Sequence, residues 1–276
     1  MSPIVSPLTA CEASALYLYS MKKWTVAIGV VLATGLAAFL SPKPFIEKKA
    51  LISTPNDGAF ALLELFTSQG CSSCPAADHL LNSIIEQAAI NGDPVFGLSF
   101  HVSYWDYLGW KDPYASLAYN VRQGNYVNQL KAGNAYTPQM VVNGKVEFVG
   151  SSRKEADSAI KAALAKPAGY SLKASVFDNG GELLIKYALD KAPNQALINI
   201  ALVKKEVQNH VARGENKGRT LTHKNVVVEF QTVMSEAAGE VSLLLPNGFE
   251  PNDNSVVVYL QNKNDLAIIA ACQVIL

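Results

Sequence analysis

A chain of 276 residues, 49% of them hydrophobic, has material for two domains of roughly 100 to 150 residues, each with its own core. Lys plus Arg and Asp plus Glu number 23 each, so the formal net charge is zero. That balance provides no basic stripe for counterion-release binding to phosphate backbones, and nucleic acid is excluded as an expected partner.

The first element is a targeting signal. Met21 is expected to be the start of translation, with residues 1–20 an upstream extension of no structural role. Lys22 and Lys23 form a positive region ahead of the uncharged, mostly apolar stretch Trp24 to Leu40, which carries the small residues Thr34, Gly35, Ala37 and Ala38 near its end. This is a secretory pattern. The stretch falls between a signal-peptide core and a membrane span of about 20 residues, so residues 21–44 read as a signal peptide or an uncleaved anchor. A buried core helix fits the flanking lysines, Pro42 and Pro44 less well. The expected location is periplasmic or secreted, with membrane contact only through residues 24–40.

Next, the polar lead-in Leu51 to Asp57 precedes the apolar run Phe60 to Phe66, which fits a strand covered on both faces of a parallel sheet. Thr67-Ser-Gln-Gly-Cys-Ser-Ser-Cys-Pro75 follows, then a helix-period segment with Ala77, Leu80, Leu81, Ile84, Ile85 and Ala88 on one face. Val95 to Val102 is a second apolar run, so the segment is a βαβ unit with a right-handed crossover. After the aromatic insertion His101 to Trp110, a helix is expected from Ser116 to Leu130. Tyr136 to Gly150 reads as two strands joined by Asn143-Gly144, a strong hairpin signal. Ser152 and Glu155 have capping-box spacing and open a last helix, with Pro167 and Gly169 ending the first domain, 51–168.

Beyond Tyr170 the period changes. Short β-rich runs at 172–177, 183–189, 196–203, 226–232, 241–245, 256–261 and 266–276 have no helix between them, which argues for a β-sandwich over 170–276. His210, Arg213, Glu215, Asn216, Arg219 and His223 populate a long polar connection at 205–225, either a solvated loop or a partner contact.

Of four cysteines, Cys11 lies in the extension, and Cys272 sits in an apolar run where a cysteine is usually an inert hydrophobe. Only Cys71 and Cys74 are neighbours, and in an exported protein they can be oxidised. A CxxC has three readings: half a zinc site, a structural staple, or a redox pair. Zinc needs two further ligands, but there is no second CxxC and the four histidines show no paired spacing, so no metal or other cofactor is expected. A staple closing so short a loop constrains little unfolded-chain entropy. Redox chemistry suits the setting better. A helix starting at or just after Cys71 would point free amides and its positive end at that sulfur, favouring thiolate. Cys71 is therefore the expected nucleophile, accessible to substrate, and Cys74 the resolving thiol. Pro75 suits the first helical turn.

Strand, CxxC, helix and strand, followed later by Thr137-Pro138 before a hairpin and a last helix, resemble the thioredoxin superfamily. The resemblance implies a cis Thr137-Pro138 bond beside the dithiol, with the Thr137 backbone pairing to an extended peptide substrate. Four separated motifs give a closer likeness: Glu64-Leu-Phe-Thr-Ser-Gln-Gly-Cys-Ser-Ser-Cys-Pro75, Tyr104-Trp-Asp-Tyr-Leu-Gly-Trp-Lys-Asp-Pro113, Tyr136-Thr-Pro-Gln-Met140 and Gly214-Glu-Asn-Lys-Gly-Arg-Thr-Leu221. Together they resemble the secreted thioredoxin-like family catalogued as domain of unknown function number 1223, from about Phe60 to the C-terminus. The family label names no activity. The Ser-Ser dipeptide, where thioredoxins carry Gly-Pro, leaves redox potential and direction open.

The expected fold is thus an α/β thioredoxin-like domain followed by an all-β sandwich-like domain. Glu64, inside an apolar strand, is a candidate proton relay to Cys74, with a hydrogen-bonded structural role as the alternative. Trp105, with His101, Tyr104, Asp106, Trp110 and Asp112, either lines a substrate groove at the C-terminal end of the second strand or plugs the sheet. The expected function is exported thiol-disulfide exchange with protein or small thiol substrates. Its rival is a non-catalytic binding or assembly module with a permanent disulfide.

Overall fold

The computed structural model describes the backbone of residues 46–49 and all of residues 58–276. The extension, the signal or anchor segment and the polar lead-in lie outside the described residues. Within those described, no helix is long and apolar enough to cross a membrane.

The chain is a mixed α/β protein dominated by one large sheet. Strand β1 (Ile46–Lys49) pairs antiparallel with β6 (Leu172–Asp178), an edge strand that its charged sequence did not suggest. β2 (Ala61–Thr67) is buried at every position, between parallel β3 (Val95–His101) and antiparallel β4 (Gln139–Val142). Cover on both faces explains its unbroken apolar run. Strand parity divides the core. Ala61, Leu63 and Leu65 pack on Leu80, Leu81 and Ile84 of helix α1 (Cys74–Asn91) and on Ala156 of α3 (Arg153–Leu164). Leu62 and Phe66 face the other way, onto Tyr119 and Tyr126 of α2 (Leu117–Leu130).

Local signals set the element ends. Gly92 closes α1 in the left-handed region at φ 72°, and the Ser116 hydroxyl accepts from the Ala118 amide at 3.2 Å to open α2. Asn143 and Gly144, at φ 46° and 65°, turn β4 into β5 (Val146–Val149). The Asn143 side chain also accepts from Leu62 N at 2.6 Å and donates to Phe60 O at 3.1 Å, tying the turn to β2. Ser152 stands at the N-cap of α3, yet its side chain makes no capping bond. The Ser152 amide, which Glu155 would accept from in a capping box, already donates to Val149 O at 2.8 Å.

All seven β-rich runs of the second half are strands: β6, β7 (Glu182–Leu189), β8 (Ala196–His210), β9 (Thr220–Met234), β10 (Ala238–Leu244), β11 (Asn254–Asn262) and β12 (Ile268–Ile275). Sheet β1-β6-β7-β10 packs on β8, β11 and β12 through a core that includes Val176, Ile185, Ile200, Val258 and Cys272. Burial pushes the Cys272 thiol up to about 12, as befits an inert hydrophobe.

Two expectations change. The polar connection at 205–225 is mostly strand: β8 and β9 pair from Glu206↔Lys224 out to His210↔Thr220, leaving only 211–219 as the tip. Backbone pairing needs no apolar side chains, so a polar stretch forms a long hairpin arm. Nor do segments 51–168 and 170–276 separate into independent bodies, because β9 joins β3 at Ser99↔Val226. The result is one eight-stranded sheet, β12-β11-β8-β9-β3-β2-β4-β5, in a compact unit spanning Ile46–Leu276. Asn225, at φ 48°, reinforces the joint by donating to Gly97 O at 3.0 Å.

Candidate functional site

The site forms where β2 runs out. Cys71 N donates to Ser68 O at 3.2 Å, Gly70 N to the Ser68 hydroxyl at 3.1 Å, and Cys74 N to Cys71 O at 3.3 Å. This turn brings Cys71 and Cys74 together as a disulfide. The helix begins at Cys74, three residues later than the earliest expected start, with Pro75 in its first turn. Ser73 occupies the N-cap without a side-chain capping bond, and its hydroxyl lies 3.3 Å from Cys71 Sγ. Cys71 thus sits in the turn just ahead of the helix's positive end.

On the opposite wall the Thr137–Pro138 peptide bond is cis, and the Thr137 carbonyl lies 4.0 Å from Cys71 Sγ. Trp105 Nε1 donates to the Thr137 hydroxyl at 2.7 Å. A Cβ at Gly70 would meet Trp105 Cβ at 3.1 Å, so Gly70 lets the turn approach the indole. Cys71, Cys74, Trp105, Thr137 and Pro138 therefore share one site.

The accessible nucleophile expected from sequence is not what the fold presents. Cys71 is 1% exposed and Cys74 0%, while Ser72 and Ser73 between them are exposed. The tip of the β8–β9 arm lies on this turn: the buried Asn216 amide donates to Gln69 O at 3.0 Å and to Cys71 O at 2.8 Å. Glu215 accepts from Ser72 N at 2.9 Å, and the Ser72 amide and hydroxyl hold its carboxyl below the usual carboxylate range. In sequence these two residues belong to the polar connection at 205–225, readable either as a solvated loop or as a partner contact. Only their number in an unusually long polar stretch hinted at the contact.

Glu64 is not placed to relay protons to Cys74. It shares parity with Leu62 and Phe66 and so projects from the sheet face opposite α1. There it accepts from Arg122 Nε at 2.8 Å, from the Tyr259 hydroxyl at 3.0 Å and from the Tyr126 hydroxyl. Its role is to anchor α2 and β11 to β2.

The aromatic insertion braces the turn from below. Trp110 Nε1 donates to Gln69 Oε1 at 3.1 Å, and Asp112 accepts from Gln69 N at 2.8 Å and Tyr114 N at 3.0 Å. Asp106 in turn accepts from Asp112 N at 3.2 Å. His101 Nδ1 lies 2.7 Å from Asp112 Oδ2, both side chains fully buried. Burial alone would lower the His101 pKa, but the Asp112 charge and hydrogen bond outweigh it and raise the value. Burial likewise opposes the Asp112 charge, yet His101 and the two backbone amides leave its carboxyl below the ordinary range.

The sign of the pH dependence follows. The His101 contribution is complete below the unfolded imidazole pKa of about 6.5 and is lost as pH rises through the higher folded value. The Asp112 contribution is complete above the unfolded carboxylate pKa of about 3.9 and is lost as pH falls through the lower folded value. Urea unfolding of wild type and Asp112→Asn as a function of pH should give a stability difference that is greatest between those limits and shrinks on both sides. A difference independent of pH would contradict the charge pairing.

A disulfide at CxxC spacing between a central strand and a helix, in a mixed α/β fold, is the class of protein these features define. The chain belongs to the family described as "Protein of unknown function (DUF1223)", whose sequence profile matches residues 62–261. Among solved structures, the X-ray structure of a structural-genomics target protein from Agrobacterium tumefaciens is similar at 29% sequence identity, with TM-score 0.62, covering 79% of this chain and 95% of that one. No curated protein matches.

Proposed function

We propose that this protein is an exported thiol-disulfide oxidoreductase built on a thioredoxin-like unit at residues 51–168, to which the strands of 170–276 add a sandwich-like half. The observation that carries the reading is the Cys71–Cys74 disulfide ahead of a helix, with the carbonyl of a cis Thr137–Pro138 bond 4.0 Å from Cys71 Sγ. Cys71 takes the attacking or attacked role and Cys74 resolves the mixed disulfide. Thr137 and Trp105 border the place where an extended peptide or small thiol would lie. Export rests on the signal-like segment 21–44.

A second reading, a binding or assembly module with a permanent disulfide, draws support from the 1% exposure of Cys71. Titration against a glutathione series separates the two. A working pair has a potential above about −300 mV and an inert staple lies below it. Full-length Cys74→Ser is expected to accumulate mixed disulfides with partner proteins or added glutathione, and Cys71→Ser is not. Equal trapping by both variants, or by neither, would count against these roles.

A further inference from the structure

Among the described residues, eight buried side-chain polar atoms make no hydrogen bond, and seven of them belong to Thr67, Asp78, Ser99, His101 and His223. These five residues share one place. Thr67 has the parity of Leu63 and Leu65, which pack on α1. Ser99 and His101 have the parity of Gly97, whose Cβ would meet Ile85 and Leu81 of the same helix. Asp78 projects from α1, and His223 Nδ1 on β9 lies 3.4 Å from Asp78 Oδ2. The His223 and His101 rings stand edge to face at 4.7 Å, and Asp112 closes the row beyond His101. Tyr114 is the other titratable group against His101, with ring centroids 5.5 Å apart.

The row begins beside the disulfide. Asp78 follows Cys74 by four residues on α1, so the two side chains occupy neighbouring positions with Cβ atoms about 5–6 Å apart. Seven polar atoms gathered under one helix without a hydrogen bond, two of them the Asp78–His223 contact, make this a polar pocket beside the disulfide and not apolar packing. Cys74 is 0% exposed, so a thiolate released there has no direct solvent donor. A buried acid–imidazole pair that holds one proton is net neutral, which is the state burial favours, and it can surrender that proton to a neighbour.

We infer that the Asp78–His223 pair, backed by His101 and Asp112, is the internal proton donor and acceptor for Cys74; this rests on the redox reading above. A substrate thiolate attacks Cys71 Sγ, forming a substrate–Cys71 disulfide and breaking the Cys71–Cys74 bond. The electron pair of that bond stays on Cys74 Sγ, which takes the proton from the Asp78–His223 pair, directly or through one water. A second substrate thiolate then attacks the substrate sulfur and expels Cys71 as thiolate, so the substrate dithiol is oxidised to a disulfide and the protein pair is reduced. In reverse, the pair takes the Cys74 proton so that Cys74 can resolve the mixed disulfide. Asp78 and His223 are positioning and proton-holding residues and do not touch substrate.

The test is stopped-flow reduction of the full chain by excess dithiothreitol, followed by tryptophan fluorescence from acid to mildly alkaline pH. Wild type, Asp78→Asn and His223→Gln are compared, with near-ultraviolet circular dichroism reporting the fold of each. Ratios to wild type cancel the titration of the reagent. Asp78→Asn is expected to be reduced about tenfold more slowly or worse near neutrality, with the gap opening as pH rises out of the acid range, where solvent protons serve both proteins equally. His223→Gln should show the same trend and keeps the test open should Asp78→Asn fail to fold. A ratio near one, or one that is flat across pH, would overturn the proton role while leaving the redox reading intact. A wild-type disulfide that dithiothreitol does not reduce would sink the redox reading itself.

Discussion

Replacing Arg122 by Ala should destabilise the protein by about 3–5 kcal/mol, the range for removing one partner from a buried ion pair. Arg122 Nη2 reaches Glu64 Oε1 at 2.6 Å and the Tyr126 hydroxyl at 3.1 Å, and the guanidinium lies among the rings of Phe230, Tyr126, Phe100 and Tyr259 at 4.9–5.6 Å. Burial and the Glu64 charge push the Tyr126 and Tyr259 hydroxyls well above their usual range despite Arg122, so both remain donors to the carboxylate. Without the cation, Glu64 would stand at 0% exposure with a charge that two phenols cannot neutralise. Urea unfolding should show a lower midpoint at unchanged slope. The double variant Glu64→Leu/Arg122→Leu should recover a large part of the loss, because it buries no orphan charge. If the double variant were as unstable as Arg122→Ala, aromatic packing and not the ion pair would hold this face together.

The second large effect concerns access. Asn216→Ala removes both hydrogen bonds that tie the arm tip to Gln69 O and Cys71 O. At about 1 kcal/mol net for each bond, the population with the tip lifted should rise roughly tenfold to thirtyfold. The rate at which glutathione attacks Cys71 should rise in proportion, because that sulfur's residue is 1% exposed when the tip is down. Glutathione kinetics under pseudo-first-order conditions give the answer directly. An unchanged rate would mean that the tip does not limit entry.

Much of this fold was legible because the relevant signals are local. The unbroken apolar run at β2, the three-and-four spacing of α1, the Asn143-Gly144 turn and the seven strands after Tyr170 each needed only neighbours in sequence. The sulfur pair and the Thr137–Pro138 element were legible for the same reason. What escaped depends on pairing between distant segments. Nothing near Val226 says that it will lie beside Ser99, so the halves read as separable when they share a sheet. Polar residues 205–225 read as a loop because hydrophobic periodicity is a property of side chains, whereas a long hairpin is held by backbone bonds. Glu64 was visible as a buried acid, but its partners Arg122 and Tyr259 stand far along the chain and across the sheet. Asp78 drew no notice because one acid in an amphipathic helix reads as its wet side until burial shows otherwise.

The joint between β3 and β9 also limits how this molecule can be divided. A fragment ending near Gly169 would present the bare rim of β3 to solvent, a ready template for stray strands. It would also lose the arm whose tip rests on the cysteine turn. Either half expressed alone would have to find a substitute neighbour for that rim.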